Sequence, residues 1–172
     1  MIIRTLIISL LSLVVSSCSS DQGTIRKNSG PGKKEMSDLN RYFVQKDRER
    51  IESYIERKGL KMTESPDGIW YAILSEGTGD LFTDNDKVTL EYEVTLLDGT
   101  GCYSSKDIGP KEVIIGRSSM EAGLNLGLRM LRHGSEAIFI IPPFLAFGLT
   151  GDGKKIPARA VLVYNIKNAR RN

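Results

Sequence analysis

The chain has 172 residues, 26% of them charged, with 24 Lys and Arg against 21 Asp and Glu and a formal net charge of +3. That length suits one ordinary domain with an appendage. The small, dispersed positive excess, with no aromatic residues interleaved among the basic ones, argues against a nucleic-acid partner.

Residues 1–17 read as a targeting signal. Arg4 precedes an apolar run from Leu6 to Val15, too short to span a bilayer as a mature helix, and the small residues Ser16 and Ser17 lead into Cys18. The pattern looks like a bacterial lipoprotein signal cut before Cys18, whose acyl chains, at about 0.8 kcal/mol per methylene, would anchor the chain to a membrane. The alternative is a plain secretory signal with Cys18 incidental. Lipidation leaves Cys102 without an intramolecular partner, so no disulfide framework arises, and the two cysteines have no metal-type spacing.

Residues 18–35 are rich in Ser, Asp, Gly, Asn and Lys and carry almost nothing apolar, which predicts a flexible tether. A helical segment follows over 36–59. Ser37 serves as its expected N-cap and Gly59 as its stop, and Leu39, Phe43, Ile51, Tyr54 and Ile55 fall roughly on one stripe, interrupted by charge from Gln45 to Arg50. The helix either packs on its own domain or remains solvated, or it serves self-association or a partner contact.

The body is expected over 60–172. Ile69 to Leu74 is a short apolar run read as an early or edge strand. Val88, Leu90, Tyr92, Val94 and Leu96 alternate with Thr89, Glu91, Glu93 and Thr95, the period of two of a half-buried strand, so Tyr92 points inward. Asp98-Gly99 signals a turn, and Val113 to Ile115 a further strand ending at Gly116.

A short helix comes next, with Met120, Leu124, Leu128 and Leu131 at helical spacing and Ser118 and Glu121 at capping-box spacing. Gly123 and Gly127 would let its backbone lie close against a sheet. Gly134 is its expected stop, with His133, the only histidine, in its last turn. Strands over 136–141 and 160–166 complete an α+β body in which a short helix is inserted into an antiparallel sheet.

Between those last strands, Pro142, Pro143, Phe144, Leu145, Ala146, Phe147 and Gly148, followed by Ile156 to Ala160, predict an apolar rim suited to an uncharged, proline-like guest. His133 stands in no catalytic context, and phosphate-cradling, dinucleotide and metal-ligating motifs do not occur, so the residues imply neither cofactor nor metal.

The stretch from about Lys87 to Lys167 resembles an FKBP-type peptidyl-prolyl isomerase domain, most strongly over 88–99, 116–134, 146–151 and 156–166. The leader, tether and helix resemble those of FKBP-type lipoproteins of the gliding-motility-associated kind. The resemblance implies a twisted antiparallel sheet curled around a short helix, with a pocket between them. It assigns Tyr92, Val113, Met120, Leu124, Phe147, Ile156 and Tyr164 to the pocket and makes the backbone N–H of Glu121 a donor to a bound carbonyl.

Several positions depart from well-known members. Cys102 and Tyr103 replace a phenylalanine and an aspartate, Lys111 an aromatic, Glu121 an aliphatic residue, Leu124 a tryptophan, and Phe147 a tyrosine with its hydroxyl. Tyr92 and Tyr103 then become the candidates for a hydroxyl in or near the pocket.

The implied activity is cis–trans isomerisation of Xaa-Pro bonds in proline-containing envelope clients, at weak to moderate rate. No nucleophile is needed, because an apolar hollow disfavours the charge-separated planar amide relative to the twisted one. The alternatives are a non-catalytic chaperone or proline-segment binding module, and a structural lipoprotein of a membrane-associated machine. Ser19 lacks the aspartate that retains some lipoproteins at the inner membrane, which by analogy points to the outer one.

Overall fold

A computed structural model of the chain describes residues 32–117 and 119–172. The expected signal, Cys18 and most of the tether lie outside the described residues, as does the capping role expected of Ser118.

The first helix, α1, runs Lys33–Lys58 and so begins before Ser37, which is interior to it rather than its cap. Gly32 occupies the N-cap, and the Glu35 carboxylate accepts a 2.8 Å hydrogen bond from its N–H. Three residues of the expected tether are thus helical, because Lys33, Lys34 and Glu35 are good helix formers and Glu35 complements the positive end of the helix dipole. The stop is as expected: Gly59 adopts φ 61°, and its N–H turns back to the carbonyls of Glu56 and Ile55.

Seven strands follow: β1 (Thr63–Glu64), β2 (Trp70–Ser75), β3 (Lys87–Leu96), β4 (Gly101–Ser104), β5 (Lys111–Ile114), β6 (Ser135–Ile141) and β7 (Leu162–Arg171). They form one antiparallel sheet in the order β1-β2-β6-β7-β3-β4, with β5 paired to the first half of β3. Two short helices, α2 (Ser105–Ile108) and α3 (Ala122–Leu128), complete the α+β architecture expected from the sequence.

Alternation along the strands divides the core between two faces. Tyr92, Val94, Phe139, Ile141, Tyr164 and Ile166 meet Leu124 and Leu128 of α3 on one side. On the other, Trp70, Ile140 and Val163 pack with Ile51 and Tyr54 of α1. Full burial of a side chain such as Ile51 stabilises by about 1.5–3 kcal/mol, enough to hold the second half of α1 on its own domain. Its first half leaves Met36, Leu39, Tyr42 and Val44 exposed.

Glycine is needed on α3 for close approach. A Cβ on Gly123 would overlap Cγ2 of Ile141, and one on Gly127 would lie 2.9 Å from a ring carbon of Phe139. The helix is shorter than its apolar spacing suggests. Tight i→i+3 bonds from Met130 to Gly127 and from Leu131 to Leu128 end it, so Met120 precedes it and Leu131 and His133 follow it. His133 instead bridges to Thr78, and its Nδ1 accepts a 3.2 Å bond from the Arg171 N–H, so it does not serve the end of α3.

Candidate functional site

The sheet's inner face carries the first two components. Tyr92 on β3 and Tyr164 on β7 point to the α3 side and stack with ring centroids 6.4 Å apart and an interplanar angle of 27°. A register shift between Glu91 and Tyr92 lets Tyr92 lie opposite Ile166 while Val94 lies opposite Tyr164. Neither β4 nor β5 pairs with β3 at Tyr92, and a side chain fills that gap: Ser105 Oγ accepts from the Tyr92 N–H at 3.0 Å and donates to the Tyr92 carbonyl at 3.2 Å. Ile108 at the end of α2 and the following Gly109 and Pro110 thereby reach the pocket edge.

Glu121 closes the helical side. It is the N-cap residue of α3, and its side chain makes no N-cap bond to the helix. Its Oε1 accepts a 2.5 Å hydrogen bond from the Tyr164 hydroxyl, and Lys111 Nζ lies 3.7 Å from Oε2. Burial, reinforced by the charge of Glu121, holds the Tyr164 hydroxyl well above its usual pKa, and the same two causes raise that of Tyr92. Both phenols therefore stay protonated at neutral pH. The Glu121 backbone N–H meets no acceptor among the described residues.

The third wall is the loop between β6 and β7. The strand leaves Ile141 through Pro142 into a 3-10 turn over Pro143–Leu145, and the loop is organised by Asp152. Asp152 Oδ1 accepts from the N–H groups of Lys154 and Ile156, both at 2.8 Å, and Oδ2 accepts from the Tyr103 hydroxyl. Burial alone would push its carboxyl up, but these bonds hold it below the usual range, and the Tyr103 hydroxyl is pushed up as their donor. A Cβ on Gly151, at φ 71°, would collide with the Ile156 carbonyl, so glycine is required at this crossing. The loop presents Phe147 to the pocket.

Together these walls enclose a cavity of about 460 Å³ between sheet, α3 and loop. Of the residues expected at the site, Tyr92, Tyr103, Glu121, Phe147 and Tyr164 line it. Val113, Leu124 and Ile156 are buried in the core behind it, and Met120 packs partly buried against that core, so the structure does not bring these four to the lining.

Sequence reasoning gave no pocket role to Val94, Ile108, Gly109, Pro110, Asp152 and Lys154, and noted Lys111 only as a substitution. The inward period of β3 that found Tyr92 also contained Val94. Ile108, Gly109 and Pro110 lie on α2 and its following turn, Lys111 opens β5, and Asp152 and Lys154 lie on a loop whose hydrogen bonds are not periodic.

The rim is not uniformly apolar as expected. Glu121, Lys111, Asp152 and Lys154 all line the cavity, while Phe144 of the expected rim is exposed. A larger hollow of about 600 Å³, beside α1 and residues 157–161, is bordered by Lys46, Glu49, Arg50, Arg57 and Arg159 and no aromatic residue, which marks a solvated groove. Among the described residues no cluster of His, Cys, Asp and Glu is arranged to hold a metal, and no helix is long and apolar enough to cross a membrane.

Residues 79–168 match the family model of FKBP-type peptidyl-prolyl cis-trans isomerase. Over 111 residues the chain is 40% identical to the probable FKBP-type peptidyl-prolyl cis-trans isomerase FkpA of Neisseria meningitidis serogroup B, covering 64% of this chain and 40% of that protein. It spans less than half the length of the curated relatives it matches. The crystal structure of FkpA from Escherichia coli has a similar fold, with a TM-score of 0.62 at 23% identity over 83% of this chain and 75% of that one. A peptidyl-prolyl cis-trans isomerase from Pseudomonas syringae pv. tomato gives the same TM-score at 25% identity, covering 74% and 92%.

Proposed function

This chain belongs to the FKBP-type peptidyl-prolyl cis-trans isomerase family, and on that premise we propose that it isomerises Xaa-Pro bonds of bacterial envelope proteins in the pocket of Tyr92, Tyr103, Glu121, Phe147 and Tyr164. The observation that carries this reading is the convergence of three aromatic side chains, Tyr92, Phe147 and Tyr164, around a cavity large enough for a pyrrolidine ring and its neighbours.

The reaction needs no covalent step. Rotation about the amide faces about 18–20 kcal/mol because conjugation is lost when the C–N bond twists. Stacked aromatic walls lower that barrier by holding the twisted form better than the planar one and by withdrawing the amide from water, which weakens its charge-separated resonance. The N–H of Glu121, which meets no acceptor among the described residues, supplies a donor for a bound carbonyl. Phe147 offers none, which removes a hydrogen bond worth about 0.5–1.5 kcal/mol and makes the enzyme weak to moderate. Val113, Leu124, Met120 and Ile156 support the wall from behind.

A protease-free cis/trans assay on Xaa-Pro peptides tests the proposal, with wild type beside Tyr92→Phe and Phe147→Ala. Acceleration by wild type that falls severalfold in Phe147→Ala is expected. Equal rates with and without protein would reject catalysis.

The residues of the leader support a lipid anchor on Cys18 and an envelope address at the outer membrane. A second reading, capture of prolyl or apolar segments without turning the bond, draws support from the charged residues of the rim. The exposed Met36, Leu39, Tyr42 and Val44 favour a contact through the first half of α1, with a partner or with a second copy in a membrane-associated machine. Leu39→Glu combined with Tyr42→Glu should then abolish that association while leaving isomerase activity intact.

A further inference from the structure

Glu121 has one carboxylate oxygen accounted for and one not. Its side chain is only 6% exposed, and while Oε1 accepts from Tyr164, Oε2 is buried without a hydrogen-bond partner among the described residues. The nearest cation, Lys111 Nζ, stands 3.7 Å away, beyond hydrogen-bond reach, on a side chain that is 34% exposed. The carboxylate does not cap α3, and its tie to the sheet uses Oε1 alone.

An unpartnered acceptor on a pocket wall discriminates among guests. A hydrocarbon guest would give the already buried Oε2 no partner and would shut water out of the pocket mouth, leaving the carboxylate desolvated. A guest bearing an ammonium or guanidinium would meet it with a charge-assisted bond, the strongest kind available there. Lys111 shows that an ammonium can stand near that oxygen, and its partly exposed side chain can turn its own charge to water to make way for a guest's. Asp152 adds a second acid to the lining, and Lys154, the remaining opposing cation, is exposed.

Building on the prolyl reading above, we infer that Glu121 is a specificity-determining residue whose second carboxylate oxygen, lacking a hydrogen bond, selects prolyl segments with a lysine or arginine beside the proline over segments with only hydrocarbon neighbours.

The test compares peptides that differ in one residue, Lys-Pro, Arg-Pro, Leu-Pro and Glu-Pro, by isomerisation kcat/KM and by fluorescence polarisation, on wild type, Glu121→Gln and Glu121→Leu. Wild type is expected to favour Lys-Pro and Arg-Pro over Leu-Pro by about tenfold, the scale of one charge-assisted hydrogen bond, and to disfavour Glu-Pro. Glu121→Gln keeps the shape and the bond from Tyr164 yet should reduce that preference to about twofold or less, and Glu121→Leu should reverse it.

Because each variant is judged by a ratio between peptides, partial loss of folded protein does not mimic the effect. Identical rankings in all three proteins would overturn the inference. Binding that ranks as expected without acceleration of any peptide would defeat the isomerase reading while leaving the role of Glu121 standing. No binding of any peptide would overturn both.

Discussion

The Tyr164 hydroxyl donates a 2.5 Å hydrogen bond to the Glu121 carboxylate, tying the last strand of the sheet to the start of α3 across one wall of the pocket. Both groups are buried, so the bond spares each a large desolvation cost. Tyr164→Phe leaves the carboxylate without its hydrogen bond, facing only Lys111 at 3.7 Å, and should destabilise by about 1.5–3 kcal/mol, the range for hydrogen bonds to charged groups. Urea unfolding measures it, and a loss under 0.5 kcal/mol would show the bond to be idle.

The same pair makes stability depend on alkali. The pKa of Tyr164 is raised in the folded chain, so above about pH 10 the unfolded state releases this proton while the native state keeps it. The contribution is therefore complete below pH 10 and declines as pH rises from there toward the folded value. Wild type should lose stability across that alkaline window, and Tyr164→Phe should lose less. Parallel pH profiles for the two proteins would contradict the assignment.

Asp152 should act in the opposite direction. Its carboxyl is held below the usual range by the bonds that shape the loop, so the stability it lends is present above about pH 4 and is lost as pH falls through the lower folded value. Asp152→Ala should release the loop that presents Phe147, lowering kcat/KM severalfold while far-UV circular dichroism stays unchanged. Unaltered activity would show that the loop holds its shape without Asp152.

Gly123→Ala tests the packing of α3. Alanine is favoured over glycine in a helix by about 1 kcal/mol, but here its Cβ would overlap Ile141. Overpacking of this kind costs about 1–3 kcal/mol, so a net loss of stability is expected at equilibrium unfolding. A net gain would mean that α3 can lift from the sheet freely.

Arg159 ties α1 to the body. Its guanidinium lies 3.8 Å above the Phe43 ring and its Nη2 is 2.9 Å from the buried Asp47 carboxylate. Asp47→Ala should cost about 1–2 kcal/mol and speed amide exchange within α1 more than within β7. Uniform exchange across both would show that the helix does not depend on this link.

Much of this was legible in the residues. The alternation around Tyr92 gave the inward face of β3 because period two is a strong signal where one face is buried, and Gly59 and Gly123 were readable because their roles are steric. Glu121 was found through resemblance, but the bond from Tyr164, 43 residues away in sequence, leaves no local trace. Asp152 escaped notice because it organises a loop through backbone donors that carry no side-chain pattern. The start of α1 was misplaced since its first turn rests on propensity and Glu35 rather than on an apolar stripe.

The central claim, that this pocket turns Xaa-Pro bonds, is met most directly by exchange NMR of a Lys-Pro peptide with a small molar fraction of the protein. Uncatalysed exchange takes tens of seconds, so cis–trans cross-peaks at mixing times near one second, lost in Phe147→Ala, are the expected result. Their absence at the highest attainable protein concentration would contradict it.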